Sequence, residues 1–269
     1  LWDTYRNVHP LLSLLYPDIQ LDMVNSMLEM YHESGWLPKW ELFSRETLTM
    51  EGDPSLVVLN DTWQRGLRNF DTALAYEAMT KSATLESARN LMRPDNDDYL
   101  QLGYVPLREK FDNSVSHALE YYLADWNLAQ FAKSMGKKND YQLFLNRSLN
   151  YKHYFDPETK ILRPKLPDGK FLVPFNPSQG ANFEDVPGFH EGSAWNYAYY
   201  IPHDIKGLSK LMGGKKKFVD QLQMVFDKGY YDMANEPDIA YPYLFNYFKR
   251  EEWRTQKEVT RLINKYFTN

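Results

Sequence analysis

Residues 114–135, SVSHALEYYLADWNLAQFAKSM, decide the fold class. Val115, Ala118, Leu119, Tyr122, Leu123, Trp126, Leu128, Ala129 and Phe131 recur at three- and four-residue spacing, the period of an α-helix and not the alternation of a strand. The neighbouring segments repeat that period. Residues 139–153 follow directly, and on the N-terminal side 71–83 opens at Asp71, a capping residue type. Residues 53–67 start Asp-Pro, a cap followed by a proline tolerated in the first turn. Residues 18–34 place Ile19, Met23, Met27, Leu28 and Tyr31 on one face, with Asp18 read as the cap after Pro17. Beyond the central helix, 202–212, 216–227, 240–248 and 252–267 are also predicted helices.

Loops rich in Pro, Gly and Asn fill 91–106, 155–188 and 229–239. Only 161–175 reads as extended, a short hairpin around Pro167-Asp168-Gly169. Roughly ten amphipathic helices joined by alternately short and long loops predict an all-α array of helical hairpins. Many such arrays close into a double ring whose long loops form a sugar-binding cleft. No interdomain linker is visible, so residues 1–269 read as a single helical domain. Leu1-Trp2 has no lead-in and the last helix runs to Phe267 without a capping residue. Both ends are therefore expected to be cut from a longer protein.

Composition removes several classes of function. A net charge of -5 gives no attraction to a phosphate backbone, and the apolar runs are far shorter than the ~18 residues a membrane helix needs. With no cysteine, thiolate nucleophiles, disulfides and Cys-ligated zinc are excluded. The six histidines lack metal-ligand spacing and form no HExxH, so a metal here would be a hard cation on oxygen ligands. Twenty Tyr, fifteen Phe and seven Trp suit stacking on sugar rings, or else an aromatic-rich core. No signal peptide is visible, and nothing in the residues places the chain in a compartment.

Three clusters carry candidate chemistry. The first is 187–204, PGFHEGSAWNYAYYIPHD, in which Glu191 stands at a loop-to-helix junction with Trp195 one turn later. An acid among aromatics and away from bulk water keeps its proton to higher pH, as a donor to a glycosidic oxygen must. The alternative is that Glu191 merely satisfies amides of the helix's first turn. The second joins 2–6, WDTYR, to 35–40, GWLPKW; Asp3 and Arg6, a turn apart, either pair or point together at sugar hydroxyls. The third is 234–238, ANEPD, where the pre-proline Glu236 is expected to be extended and exposed, binding a ligand or ending a helix.

In order along the chain, WDTYRNVHPL, GWLPKW, TWQRGLRNFD, SVSHALEYYLADW, GFHEGSAWNYAYYIPHD and NEPDIAYPYLFNY resemble segments of glycoside hydrolase family 92. Six co-linear blocks make this resemblance specific where one alone would be weak. It implies an N-terminal β-sandwich followed by an (α/α)6 toroid, with this chain part of the toroid. It implies an exo-acting α-mannosidase that inverts, depends on Ca2+ and acts on mannose-containing oligosaccharides or glycans, in a bacterial periplasmic or secreted setting. The glutamate of the family's EGNAW-like motif, its general acid, falls on Glu191. Ser193 stands where many relatives have Asn. The WDT block lines the pocket of the terminal mannose, making Trp2, Asp3 and Arg6 candidate ligands, with Trp40 and Trp195 as stacking surfaces. Asn235-Glu236 matches a loop that contacts the leaving-group sugar and is His-Glu in relatives selective for α-1,2 links.

The calcium ligands are not assigned. The family's general base lies in a GNDD-like segment that this chain lacks. Asp61, Asp204 and Glu236 are the substitutes within reach of argument, none of them favoured, and Asp61 is also kept as a substrate-binding candidate. The chain alone is then expected to be inactive or impaired. Other expectations are a trehalase-like or glucoamylase-like (α/α)6 glycosidase, and a carbohydrate-binding module that kept the fold without the chemistry.

Overall fold

The computed structural model describes residues 1–109, 112–180 and 186–267. It is mostly helical. The helices are α1 (Val8–Leu15), α2 (Pro17–Ser34), α3 (Pro54–Gln64), α4 (Thr72–Thr84), α5 (Asn96–Leu102), α6 (Ser114–Ser134), α7 (Lys138–Ser148), α8 (Ala194–Tyr197), α9 (Ile205–Leu211), α10 (Lys215–Asp227) and α11 (Glu252–Tyr266). Short 3-10 turns cover Ser87–Arg89, Leu149–Tyr154, Glu236–Asp238 and Tyr241–Tyr247. The chain forms two compact units, Leu1–Pro106 with Ser116–His153, and Leu107–Val115 with Tyr154–Asn269.

In the first unit α1, α2, α3 and α4 pack on one another. The expected one-sided periodicity of α6 gives way to a helix buried on every face: Ala118, Leu119, Tyr121, Tyr122, Ala124, Leu128, Ala129 and Phe131 are all inaccessible. A helix apolar all round belongs inside a fold. Its polar residues are buried with partners. Asp125 meets Arg93 Nη1 at 2.8 Å and Arg147 Nε at 2.8 Å, and accepts from Tyr99 Oη at 2.8 Å. Asp53 does not cap α3 with its side chain, as its Asp-Pro context predicts. That carboxylate instead meets the buried Arg93 Nε at 3.0 Å and accepts from Ser82 Oγ at 2.6 Å. A cap contributes about 1 kcal/mol, whereas a buried guanidinium left unpaired costs several.

Asp71 does cap α4, accepting from the amides of Ala73 and Leu74 at 3.0 and 2.9 Å. The start of α2 lies one residue before the expected cap, because Pro17 itself enters the first turn and Asp18 follows it there. Three elements escaped the periodicity: α1, α5, and a two-residue antiparallel pairing of β1 (Glu41–Leu42) with β2 (Arg45–Glu46).

In the second unit Tyr199 contacts Phe218 and Tyr241 edge-on, with centroids 5.0 and 5.3 Å apart. These rings are core, as are Tyr121, Tyr122, Tyr151, Tyr154 and Tyr197, so much of the aromatic surplus packs the interior. The segment read as a hairpin turns as expected: Leu166 N donates to Lys170 O at 2.8 Å and Gly169 N to Leu166 O at 2.9 Å. Its arms make single bridges, Phe155 with Leu162 and Lys165 with Phe171, and no continuous ladder. Residues 241–247 coil as a 3-10 turn with Pro242 at its start, not as the expected α-helix.

Candidate active site

Glu191 lies in a bend just before α8, and the bend is built from its neighbours upward. Gly188 and Glu191 both have positive φ, 89° and 51°. For a residue with a Cβ, that left-handed conformation costs roughly 1–2 kcal/mol, so the surroundings must hold it. Tyr197 Oη donates to the carbonyl of His190 at 2.7 Å, and Asn235 Nδ2 donates to the carbonyl of Glu191 at 2.8 Å. Gly192 follows because there is no room for more: a Cβ there would stand 2.6 Å from Asn235 Nδ2. Helix α8 starts only at Ala194. Ser193 accepts from Trp195 N while Asn196 Oδ1 accepts from Ser193 N at 2.8 Å, a reciprocal capping box. The first-turn amides thus have their own partner, and the Glu191 side chain is not spent on them.

The Glu191 side chain is 30% exposed, more open to water than its aromatic context predicts, because the bend turns it away from the packed face of α8. Among the described residues, His190 Nε2 stands 3.6 Å from Glu191 Oε2. Asn113 Nδ2 lies 3.1 Å from His190 Nδ1. Where the Asn113 amide nitrogen donates, Nδ1 accepts and the ring presents Nε2 to the carboxyl group. Trp195 is buried, with its indole stacked on Tyr230 at 5.2 Å and 4° and Nε1 donating to Ser178 Oγ at 3.1 Å. One face of that ring is therefore taken.

The 235–238 turn packs against the same bend. Glu236 is not extended as its place before Pro237 predicts. It opens a 3-10 turn, half-buried, since proline is accepted in a first turn where no amide is needed. The extended residue is Asn235, with φ -98° and ψ 119°. Asp238 is fully inaccessible; its Oδ2 accepts from Asn196 Nδ2 at 2.8 Å and from Asp232 N at 3.0 Å. Burial pushes its carboxyl group well above the usual carboxylate range, and the nearby Asp232 charge adds to this. Asp204 is occupied as the cap of α9, accepting from Gly207 N at 2.9 Å.

The second cluster lies in the first unit around Glu120, 2% exposed. Glu120 Oε1 accepts from Trp2 Nε1 at 3.0 Å and from Arg6 Nη2 at 2.7 Å, and Tyr5 Oη donates to Oε2 at 2.9 Å. The Arg6 guanidinium lies over the rings of Trp2 and Tyr5, 4.5 and 4.3 Å from their centroids, and also donates to the Trp2 carbonyl. Arg6 is thus the partner of Glu120, while Asp3 is exposed and accepts from Trp40 Nε1 at 2.8 Å. Glu46 holds the Trp40 amide at 3.1 Å. Beside them Lys39 is buried, its Nζ donating to the Met92 carbonyl at 3.0 Å, and burial lowers its pKa to about 8. Asp61 lies apart on α3, paired with Arg65 Nε at 2.6 Å in a part-exposed i,i+4 bridge.

Glu120, Asn113, Asn196, Tyr230 and Asp238 were missed as site residues. For Glu120 a signal existed: an acid inside the apolar run Ala118–Leu119–Glu120–Tyr121–Tyr122 must be buried with partners. Among the described residues no three His, Asp or Glu side chains come together as a metal cage.

A helical frame thus presents one carboxyl group in a hydrogen-bonded bend beside an imidazole. The family model described as the glycosyl hydrolase family 92 catalytic domain matches residues 1–269. The chain belongs to glycosyl hydrolase family 92. Its fold is similar to that of a family GH92 inverting mannosidase from Bacteroides thetaiotaomicron, with TM-score 0.88 and 30% identity over 98% of this chain and 38% of that one. A family GH92 α-mannosidase of the same organism, in complex with mannoimidazole, gives TM-score 0.89 and 34% identity over 99% of this chain and 37% of that one. An uncharacterized secreted glycosidase of Arthroderma benhamiae is 25% identical over 91% of this chain and 35% of its own length. The chain thus spans little more than a third of each of these relatives.

Proposed function

We propose that this chain is the helical part of an exo-acting, inverting α-mannosidase that removes terminal α-linked mannose from glycans, with Glu191 as general acid. The observation that carries the reading is the Glu191 bend. Hydrogen bonds from Tyr197 and Asn235 fix two successive carbonyls, so the backbone that carries the carboxyl group is held in place while the side chain stays part-exposed. In that role Glu191 gives its proton to the glycosidic oxygen as the bond to the anomeric carbon breaks. His190 Nε2–H, 3.6 Å away, stabilises the carboxylate left behind. Family membership and the likeness to two mannosidases support the substrate class.

Inversion needs a second carboxylate about 6.5–9.5 Å from the first, with a water between it and the anomeric carbon. Asp61 and Asp204 are engaged elsewhere, in an ion pair and a cap. We place the base in the remainder of a longer protein, together with a β-sandwich, so that this chain alone is inactive or impaired. Calcium dependence rests on the resemblance to the family, where the ion helps bind and distort the terminal mannose, and no step here is routed through it. A secreted or periplasmic setting is supported by the secreted fungal relative. Trp2, Asp3, Arg6 and Trp40 are proposed for the terminal mannose, and Asn235 and Glu236 for the leaving-group sugar.

The test is Glu191→Gln in the full-length protein. Turnover of α-mannobioses should fall about 10²–10⁴-fold, the usual worth of a positioned acid. Turnover of 2,4-dinitrophenyl α-mannoside, whose leaving group needs no proton, should change little. An unchanged rate on mannobioses removes Glu191 from the role.

A further inference from the structure

Besides the Tyr197 contact, two further holds on the Glu191–Ser193 segment pass through one buried side chain. Asp238 accepts from Asn196 Nδ2 at 2.8 Å, and the same Asn196 closes the capping box with Ser193, two residues after Glu191. Asp238 also accepts from Asp232 N at 3.0 Å, which folds the loop back on itself. That loop delivers Asn235, whose Nδ2 reaches the Glu191 carbonyl at 2.8 Å. Asn235 and Asp238 share a single turn, joined by Asp238 N donating to Asn235 O at 3.4 Å. Gly192, with no space for a Cβ beside Asn235 Nδ2, lets the two segments approach this closely.

We infer that Asp238 is a positioning residue for the general acid, fastening the 235–238 turn to the cap of α8 so that Asn235 can clamp the Glu191 backbone. The inference rests on the reading of Glu191 given above. Asp238 is inaccessible and acts through Asn196 and Asn235, without touching substrate. Two features support a positioning role over simple packing. Its contacts are polar and directional: one ends on Asn196, which caps α8 through Ser193, and the other ties down the loop that delivers Asn235. Burial also favours its neutral form, so it supplies geometry here and not a field.

A misplaced acid should harm only reactions that need the acid. In the full-length protein, Asp238→Ala should lower kcat on α-mannobioses about 10–100-fold, the scale expected for an ångström-size displacement of a catalytic group, with KM changed less than about threefold. On 2,4-dinitrophenyl α-mannoside the same variant should stay within about threefold of the parent, since that leaving group departs unprotonated. Asp238→Asn keeps an oxygen facing Asn196 and the Asp232 amide, and should recover most of the lost turnover. If Asp238→Ala does not fold, Asn235→Ala removes the contact with the Glu191 carbonyl together with the proposed contact to the second sugar; its kcat should show the same dependence on leaving group, and a loss confined to KM would report the sugar contact alone and overturn the clamp. Equal losses on both substrates by a folded variant would overturn the inference. Glu191→Gln run alongside separates the two readings: if it shows the leaving-group dependence and the Asp238 and Asn235 variants do not, only the positioning role fails. If Glu191→Gln shows none, the assignment of the acid fails first.

Discussion

Two glutamates, one in each compact unit, make opposite use of the same carboxyl group. Glu120 is 2% exposed and surrounded by donors: Trp2 Nε1, Tyr5 Oη and the permanent cation of Arg6. Glu191 is 30% exposed, with the His190 imidazole 3.6 Å from its carboxyl group. An acid whose oxygens meet a guanidinium and two fixed hydrogen bonds holds structure together. An acid positioned through its backbone and part-exposed to water suits the proton transfer proposed for Glu191.

The largest test of this contrast is stability. Glu120→Ala leaves the Arg6 guanidinium and two other donors without their acceptor, and should cost about 3–5 kcal/mol, the range for a broken buried pair. Glu191→Gln keeps the backbone clamp and should change stability by less than about 0.5 kcal/mol. Urea titrations of both variants would collapse the comparison if the two losses were alike.

A smaller effect is expected from pH. The Asp238 carboxyl pKa is raised in the fold, chiefly by burial, with the Asp232 charge adding and hydrogen bonds from Asn196 and the Asp232 amide opposing. A raised folded value means the native state keeps a proton that the unfolded chain releases. The stability from that group is complete below the ordinary carboxylate range and is lost as pH rises toward the folded value. Asp238→Asn escapes this loss. Its Tm relative to the parent should therefore climb between about pH 4 and pH 8, and a flat difference would contradict the direction. The smallest effect belongs to Asp61, in its part-exposed bridge with Arg65. Asp61→Asn should stay within about 0.5 kcal/mol in stability and leave mannobiose turnover unaltered; a tenfold loss of turnover would bring it back as a base.

Which of these residues could be read from the chain depended on where the information lies. The helices were legible because apolar spacing is local, and Asp71 was legible because a cap is local too. Asp53 was misread because its partners, Ser82 and Arg93, are distant in sequence. Helix α1 and the Glu41–Glu46 pairing gave too short a pattern to register. Glu191 was legible through its motif, but its left-handed backbone was not, since that conformation depends on Tyr197 and on Asn235, 44 residues away. Asp238 lay in a quoted block and passed unnoticed, because only its burial against Asn196 distinguishes it from any acid after a proline.

The contact between Asn235 and the Glu191 carbonyl also bears on how specificity can evolve in this scaffold. A residue proposed to read the second sugar has its amide committed to the backbone of the acid. Exchanging Asn235 for an imidazole to favour one linkage would remove that hold at the same stroke. Selection for a new linkage and selection for rate therefore act on one side chain, and a switch at 235 should need a compensating change in the bend before turnover returns.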